Sequence, residues 1–192
     1  QESRGLGDVY KRQAKQQSGE LAADIPFILS NHSDLEVIAK RFEIPFYVIP
    51  VSKETKENAE NMQLDLLKKN KIDFIVLARY MQIVSSKLID EYRQKIINIH
   101  HSFLPAFPGA KPYHSAYDRG VKIIGATSHY VTEQLDAGPI IEQDISRVSH
   151  LNSIADFIEK GRDLERIVLL RDLKLHVNRK VMVYGNKTVV FS

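Results

Sequence analysis

Short apolar runs that alternate with amphipathic segments constrain the fold of this chain more than any other feature of its sequence. Ile25–Ser30, Phe46–Val51 and Phe74–Ala78 are brief apolar runs of the kind that form buried strands. Between the last two, Thr55–Asn70 repeats apolar residues at the spacing of one helical face. Strands that alternate with helices are typical of α/β proteins, in which crossover helices join parallel strands. The sequence therefore predicts an α/β fold with a mostly parallel, twisted sheet flanked by helices.

The same alternation continues along the chain. Ser33 and Glu36 have the spacing of a capping box, which predicts the start of a helix that ends near Phe42. The further predicted strands are Ile96–His100, Ile123–Tyr130 and Ile140–Val148, and the further short helices are Ser85–Tyr92 and Tyr113–Gly120.

The last forty residues predict a long helix and a hairpin. Ile154–Val177 has amphipathic helical spacing throughout, although Gly161 could interrupt the helix. Gly185-Asn186 lies between the strand-like segments Val181–Tyr184 and Thr188–Phe191, which predicts a two-residue turn in a terminal β-hairpin.

Composition excludes several classes of function. The 192 residues include no cysteine, so disulfides, a cysteine nucleophile and thiolate metal sites are excluded. The 27 basic and 24 acidic side chains give a net charge of +3 without a basic run, so nucleic acid is not expected as a partner. No apolar run approaches the ~18 residues of a membrane span, and neither a signal-peptide core nor a Walker A or GxGxxG motif is present. We expect a cytoplasmic protein with no membrane partner.

The first thirteen residues are unlike the rest of the chain. Residues 3–13 have no helical or strand period, and eleven codons that encode them in order resemble the transposon-end adapter used to prepare sequencing libraries. We expect residues 1–13 to be translated adapter, with a natural disordered tail as the alternative. Residues 14–192 are expected to form one domain.

Side chains capable of catalysis are concentrated between residues 98 and 138. Asn98 and His100 lie two apart on a predicted strand, so both face the same side at its carboxyl end, where ligands bind in α/β sheets. His129 and Asp136 follow on and after a later strand. An Asn can donate to a developing oxyanion, a His can shuttle a proton, and an Asp can act as a base. Since neither Ser nor Cys stands alongside the Asn, His and Asp, the pattern favours direct attack by water or an amine.

Other interpretations of these residues remain open from the sequence alone. A single His at a strand end is more often structural than catalytic, and Asp136 before Ala-Gly could be a turn residue. His129 could be the buried partner of any carboxylate. A metal site could draw on His100, His101, His114, His129 and Asp136. Because the HExxH spacing of a metalloprotease is absent, we predict no metal.

The stretch Asn98–Gly109 reads Asn-Ile-His-His-Ser-Phe-Leu-Pro-Ala-Phe-Pro-Gly. Together with Asp136-Ala137-Gly138, it resembles the signature of the 10-formyltetrahydrofolate-using formyltransferase superfamily, in which an Asn-x-His motif precedes a catalytic Asp. The Asn and the Asp are 38 positions apart here, as in that superfamily. The resemblance implies the α/β, Rossmann-like formyltransferase fold.

Within that superfamily the chain is most similar to the formyltetrahydrofolate deformylases. His101 stands where transferases that act on glycinamide ribonucleotide usually have Pro. The segments Leu77–Gln82 and Gly185–Phe191 are also deformylase-like. The resemblance extends over about Ser18–Phe191.

The resemblance implies a role for each residue that matches the family. The implied catalytic residues are Asn98, His100 and Asp136. The implied supporting residues are His129, which would hold the Asp, together with His101 and Gly138. The implied folate-binding residues are Arg79, Tyr80, Met81, Gln82, Thr132, Glu133 and Leu135. Gly109 and His114 match positions in the loop beside the site.

The implied reaction is hydrolysis of 10-formyltetrahydrofolate to tetrahydrofolate and formate, without a metal or other cofactor. Such an enzyme balances one-carbon folate pools and supplies formate for purine synthesis. A formyltransferase acting on an amine such as glycinamide ribonucleotide is the alternative, and a folate-binding module without catalysis is the third possibility. The resemblance implies a homo-oligomer. It also implies a domain order in which an ACT-type regulatory domain precedes the catalytic domain. Because nothing here matches the ACT-type domain or the usual first strand, we expect the chain to lack both.

Overall fold

The computed structural model describes residues 21–52, 54–80, 82–106 and 112–191. They divide into two compact units. One holds the chain up to Asp73 together with Ser85–Glu91, and the other holds Phe74–Val84 and the chain from Tyr92 onward. Of the helices in the described ranges, none combines the length and the apolar character that crossing a bilayer requires.

Three sequence predictions concern residues that the structure does not describe. The expected adapter segment, residues 1–13, lies outside the described residues, as do Met81 and Gly109.

The first unit contains two short parallel strands joined by a helix. β1 (Ile28–Ser30) lies beside β2 (Phe46–Val48), and α1 (Glu36–Arg41) connects them. α1 buries Ile38 and Ala39. A parallel pair needs a crossover of this kind, so the predicted strand–helix–strand order is confirmed here.

The predicted capping box at the start of α1 is wrong. The helix begins at Glu36, and the residue before it, Leu35, makes no side-chain cap. The Glu36 N–H donates to the backbone carbonyl of Ser33 at 2.9 Å. A backbone turn over 33–35 therefore satisfies the donor that the Ser33 hydroxyl was expected to satisfy.

Among the described residues, the first unit contains two further helices. α2 (Lys56–Lys69) buries Ala59, Leu64 and Leu67 along one face, as its amphipathic spacing predicts. α3 (Ser86–Glu91) is a short helix that contributes buried leucine and isoleucine side chains.

A four-stranded mixed sheet organises the second unit. β3 (Ile75–Leu77), β4 (Ile96–His100), β5 (Ile123–Tyr130) and β6 (Ile140–Arg147) are neighbours in that order. β3 and β4 are parallel, whereas β5 runs antiparallel to both β4 and β6. The predicted α/β class is confirmed, and the expectation of mostly parallel strands holds for the pairs β1–β2 and β3–β4 but not for β5 and β6. The connection over 131–139 contains no helix, so it returns the chain antiparallel instead of crossing over.

α4 (Pro112–Arg119) precedes β5, and α5 (Ile154–Val177) packs against β5 and β6. α5 begins with a capping box in which the Ser153 hydroxyl accepts from the Asp156 N–H and the Asp156 carboxylate accepts from the Ser153 N–H. Gly161 does not interrupt the helix; it is buried in a continuous α5.

A terminal hairpin follows α5, as predicted. β7 (Val181–Tyr184) pairs antiparallel with β8 (Lys187–Val190) around Gly185-Asn186. Gly185 has φ +57°, a left-handed conformation that glycine adopts without strain.

Candidate active site

The register of the sheet brings two of the predicted site residues side by side. Asn98 on β4 lies opposite His129 on antiparallel β5, and two residues further along β4, His100 lies opposite Thr127. Side chains two apart on a strand share a face, so all four lie on one side of the sheet. On its other edge β4 pairs with β3, where Asn98 lies opposite Leu77.

Asp136 reaches this face from the loop between β5 and β6. Its φ is +51°, a left-handed conformation that Asp tolerates better than most side chains. Two residues later Gly138 is buried so closely against the chain that a Cβ there would collide with the carbonyl oxygen of Tyr130. The Tyr130 N–H also donates to the carbonyl of Pro139 at 2.9 Å, which closes the loop at its base. The local sequence Asp-Ala-Gly therefore supplies both the turn residue and the missing side chain that the loop requires.

The Asp136 carboxylate lies between two imidazoles. Its Oδ2 is 3.3 Å from His100 Nδ1, and its Oδ1 is 3.6 Å from His129 Nε2, an ion-pair distance slightly beyond a hydrogen bond. Asn98 Nδ2 lies 3.4 Å from the same His129 nitrogen. Asn98, His100, His129 and Asp136, predicted together from the sequence, thus form one contiguous cluster, which we call the Asp136 cluster.

One proton position in the Asp136 cluster follows from the geometry. His129 Nδ1 is 3.0 Å from the carbonyl oxygen of Tyr130, which can only accept, so Nδ1 carries a hydrogen. His129 Nε2 then has two options. In the neutral ring it accepts from the Asn98 amide, and in the imidazolium it donates to Asp136. The side chain of His129 is almost fully buried, which fixes the ring in this position.

The environment keeps Asp136 ionised. The pKa of Asp136 is lowered below its usual value, first by the polar contact with His129 and then by the positive charges of His100, His129 and His101. Partial burial opposes the decrease without reversing it. At neutral pH the cluster therefore offers a carboxylate beside two potential donors.

His101 extends the cluster away from the sheet. Its ring stacks on His100 with centroids 5.2 Å apart, and it lies 5.9 Å from the ring of Tyr113 on α4. The Tyr113 hydroxyl donates to Glu165 Oε1 on α5 at 2.7 Å, and both side chains are buried. Burial and then the neighbouring Glu165 carboxylate raise the pKa of Tyr113, so it stays a neutral donor. His101 is thus held between a cluster residue and a buried hydrogen-bonded pair.

The predicted folate-binding residues lie in two loops. Arg79, Tyr80 and Gln82 directly follow β3 and are half-buried, and Arg79 has φ +54°. Since β3 and β4 are parallel neighbours, this loop begins at the same sheet edge as the loop after His100. The predicted residues in the 131–139 loop are half-buried Thr132 and exposed Glu133 and Leu135.

His114 lies exposed on α4, and no described contact joins it to the Asp136 cluster. Within the described part of the chain, no three His, Cys, Asp or Glu side chains come together in a way that could hold a metal ion.

Sequence reasoning missed Thr127. Its buried hydroxyl donates to the Ser102 carbonyl at 2.8 Å and accepts from the Leu104 N–H at 3.0 Å, which holds the chain that follows His100. The spacing of the sequence could have indicated Thr127, because it lies two residues before His129 on a predicted strand and so shares its face.

Comparison with known proteins agrees with this fold. A family model described as formyl transferase matches residues 3–173. The chain belongs to the formyl transferase family. The family expected from the Asn98–Gly109 motif is therefore confirmed.

Similarity to individual known proteins extends over most of this chain. A protein of Synechocystis sp. named formyltetrahydrofolate deformylase is 57% identical over 175 residues, which make up 91% of this chain and 61% of the relative. The crystal structure of a formyltetrahydrofolate deformylase from Pseudomonas syringae pv. tomato superposes with a TM-score of 0.93 at 51% identity, covering 100% of this chain and 63% of that one. The structure of phosphoribosylglycinamide formyltransferase from Bacillus halodurans has a TM-score of 0.81 at 30% identity and covers 90% of each chain. This chain spans about three fifths of the length of the deformylases that it matches.

Proposed function

We propose that this protein hydrolyses 10-formyltetrahydrofolate to tetrahydrofolate and formate. The observation that carries the proposal is the Asp136 cluster, in which one carboxylate lies 3.3 Å and 3.6 Å from two imidazole nitrogens beside an amide donor. Two of the compared relatives, at 57% and 51% identity, bear the name formyltetrahydrofolate deformylase, which favours hydrolysis over formyl transfer.

The first step is attack of water on the formyl carbon. The carbonyl oxygen becomes an oxyanion, and the Asn98 amide and a protonated His100 would donate to it. A donor placed in this way typically lowers the barrier by about 3–4 kcal/mol, roughly 10²–10³-fold in rate. Asp136 would orient the water and accept its proton. Its lowered pKa keeps the carboxylate ionised at neutral pH, so it is available as an acceptor, and the same shift makes it a weaker base.

The second step is collapse of the tetrahedral intermediate. The bond between the formyl carbon and the folate nitrogen breaks, and the proton taken from water passes through Asp136 to that nitrogen. Formic acid leaves and ionises to formate, so no electron acceptor or group carrier is consumed. His129 would hold the Asp136 carboxylate in place through the contact at 3.6 Å. We further propose that the loops at Arg79–Gln82 and 132–135 bind the folate, that no metal is needed, and that the enzyme acts in the cytoplasm as a homo-oligomer.

The test is turnover of 10-formyltetrahydrofolate by purified protein, with formate as the product measured. Asp136→Asn should lower kcat at least about 100-fold and change KM much less, because the carboxylate transfers protons during the reaction and is not one of the residues proposed to bind the folate. His100→Ala should behave in the same way. The matched controls are Asp163→Asn on the solvent side of α5 and His150→Ala on an exposed turn, which should keep wild-type kinetics.

Four outcomes would contradict the proposal in different ways. Wild-type kcat in Asp136→Asn would remove Asp136 from the mechanism. Formylated glycinamide ribonucleotide, formed when that acceptor is added, would identify a transferase, and folate binding without turnover would identify a binding module. If EDTA abolished the activity and added zinc restored it, the enzyme would need a metal and the metal-free mechanism would be wrong.

A further inference from the structure

The loop that carries Asp136 is held from outside by the terminal hairpin. The Asn186 amide Nδ2 donates to the carbonyl of Ala137 at 2.9 Å, one residue after Asp136. The Thr188 hydroxyl donates to the carbonyl of Ile140 at 2.5 Å, where β6 begins. We call these two side chains the hairpin clamp. The clamp fixes two backbone carbonyls on either side of Gly138-Pro139, more than forty residues away along the chain.

The loop needs such support because its backbone is strained. A non-glycine residue in the left-handed region, like Asp136 at φ +51°, persists only where surrounding contacts over-determine it. Inside the loop, the Ala137 N–H makes only a long hydrogen bond of 3.3 Å to the Gln134 carbonyl. Gly138 is wedged against Tyr130, which fixes the base of the loop. The Asn186 amide holds the carbonyl of Ala137, the residue that directly follows Asp136.

We infer that the hairpin clamp of Asn186 and Thr188 positions Asp136 for catalysis, an inference that rests on the proposed function. Asn186 and Thr188 are positioning residues, because they act on the loop backbone and not on substrate. The geometry of the turn suits this role. Gly185 takes the left-handed position, which leaves Asn186 free to direct its amide to the loop.

The decisive variant is Asn186→Asp. Aspartate has nearly the same shape and also favours turns, but its carboxylate cannot donate to the Ala137 carbonyl and repels it. Thr188→Val is the second variant, since it keeps the β-branched shape and removes the hydroxyl. Asn178→Asp is the matched control. It removes an equivalent amide-to-carbonyl bond, from Asn178 Nδ2 to the Lys174 carbonyl at 2.8 Å, at the end of α5 instead of at the loop.

The assay is steady-state formate release from 10-formyltetrahydrofolate by the whole chain over pH 4–9, with thermal unfolding of each variant as a check on folding. We expect Asn186→Asp to lower kcat roughly 10- to 100-fold with KM changed less than about threefold, since small misplacements of a catalytic group have effects of this size. Thr188→Val should lower kcat in the same direction, and Asn178→Asp should not. The acid limb of the kcat profile should also move to higher pH in Asn186→Asp, because a loosened Asp136 loses the contacts with His129 and His100 that lower its pKa.

Failure of this inference and failure of the proposed function give different results. If Asp136→Asn is inactive while Asn186→Asp and Thr188→Val match Asn178→Asp in kcat and pH profile, the clamp has no positioning role and the proposed function stands. If the unaltered chain is folded but releases no formate, the proposed function and the inference that rests on it both fall. A lower Tm with unchanged kcat in both clamp variants would reduce the clamp to a purely structural contact and overturn the inference.

Discussion

Gly161→Ala is expected to destabilise this protein, although alanine normally stabilises a helix. In the interior of an exposed helix, alanine is favoured over glycine by about 1 kcal/mol. Gly161, however, is buried in α5 against the side chain of Tyr113, and a Cβ there would overlap two carbons of the ring and the hydroxyl oxygen. The ring must therefore move, or the helix must shift.

The size of the effect follows from two terms that oppose the helix propensity. Overpacking of a filled site typically costs about 1–3 kcal/mol. Displacing the Tyr113 hydroxyl also weakens its buried 2.7 Å hydrogen bond to Glu165, a change that typically costs about 1–3 kcal/mol. After the helical gain is allowed for, we expect a net loss of about 1–5 kcal/mol, and for a chain of this size each kcal/mol lowers Tm by roughly 2–4 °C.

A double-mutant cycle separates these terms. Urea unfolding is measured for wild type, Gly161→Ala, Tyr113→Ala and the double variant. In the Tyr113→Ala background the clash is gone, so Gly161→Ala should no longer destabilise and should add up to about 1 kcal/mol. An equal effect of Gly161→Ala in both backgrounds, or stabilisation in the wild-type background, would refute the argument that Gly161 is needed to accommodate Tyr113.

Two further predictions concern α5. Burial raises the pKa of Asp172 to about 7, opposed by the nearby Ser128 hydroxyl and helped by the Glu142 charge. The folded state then binds the proton more tightly than the unfolded state, so stability should fall by on the order of 4 kcal/mol as pH rises from about 4 to about 7. Asp172→Asn should reduce the difference between the free energies of unfolding measured in urea at pH 5 and at pH 8. A difference as large as that of the wild type would contradict the role of Asp172. Ser153→Ala removes the capping box shared with Asp156 and should cost about 1 kcal/mol, seen as a Tm lower by roughly 2–4 °C; an unchanged Tm would show that the cap contributes nothing.

Much of the fold could be predicted because it depends on patterns between near neighbours. The bounds predicted for β4, β5 and α5 are those of the structure, and the two-residue turn at Gly185-Asn186 is confirmed. The capping box predicted at Ser33 was wrong. The Glu36 N–H, which the Ser33 side chain was expected to bind, donates instead to the Ser33 backbone carbonyl, and residue spacing alone does not distinguish the two acceptors.

For the candidate site too, the sequence shows some features and only the structure shows the others. The sequence alone selects Asn98 and His100, because a strand period of two places them on one face at a strand end. It does not show that Asp136 lies 3.3 Å from His100, that β5 runs antiparallel so that His129 meets Asn98, or that Asn186 holds the loop.

The sequence by itself therefore determined the strands, the helices and the residue types available for chemistry, since apolar period and turn propensity act over a few residues. Only the tertiary structure decided which of those residues meet. Asp136 and His100 are joined by the return of the chain between antiparallel strands, and Tyr113 and Gly161 by the packing of two helices. These contacts join positions that are tens of residues apart, and they depend on the volumes and backbone directions of the whole unit, which no local spacing encodes.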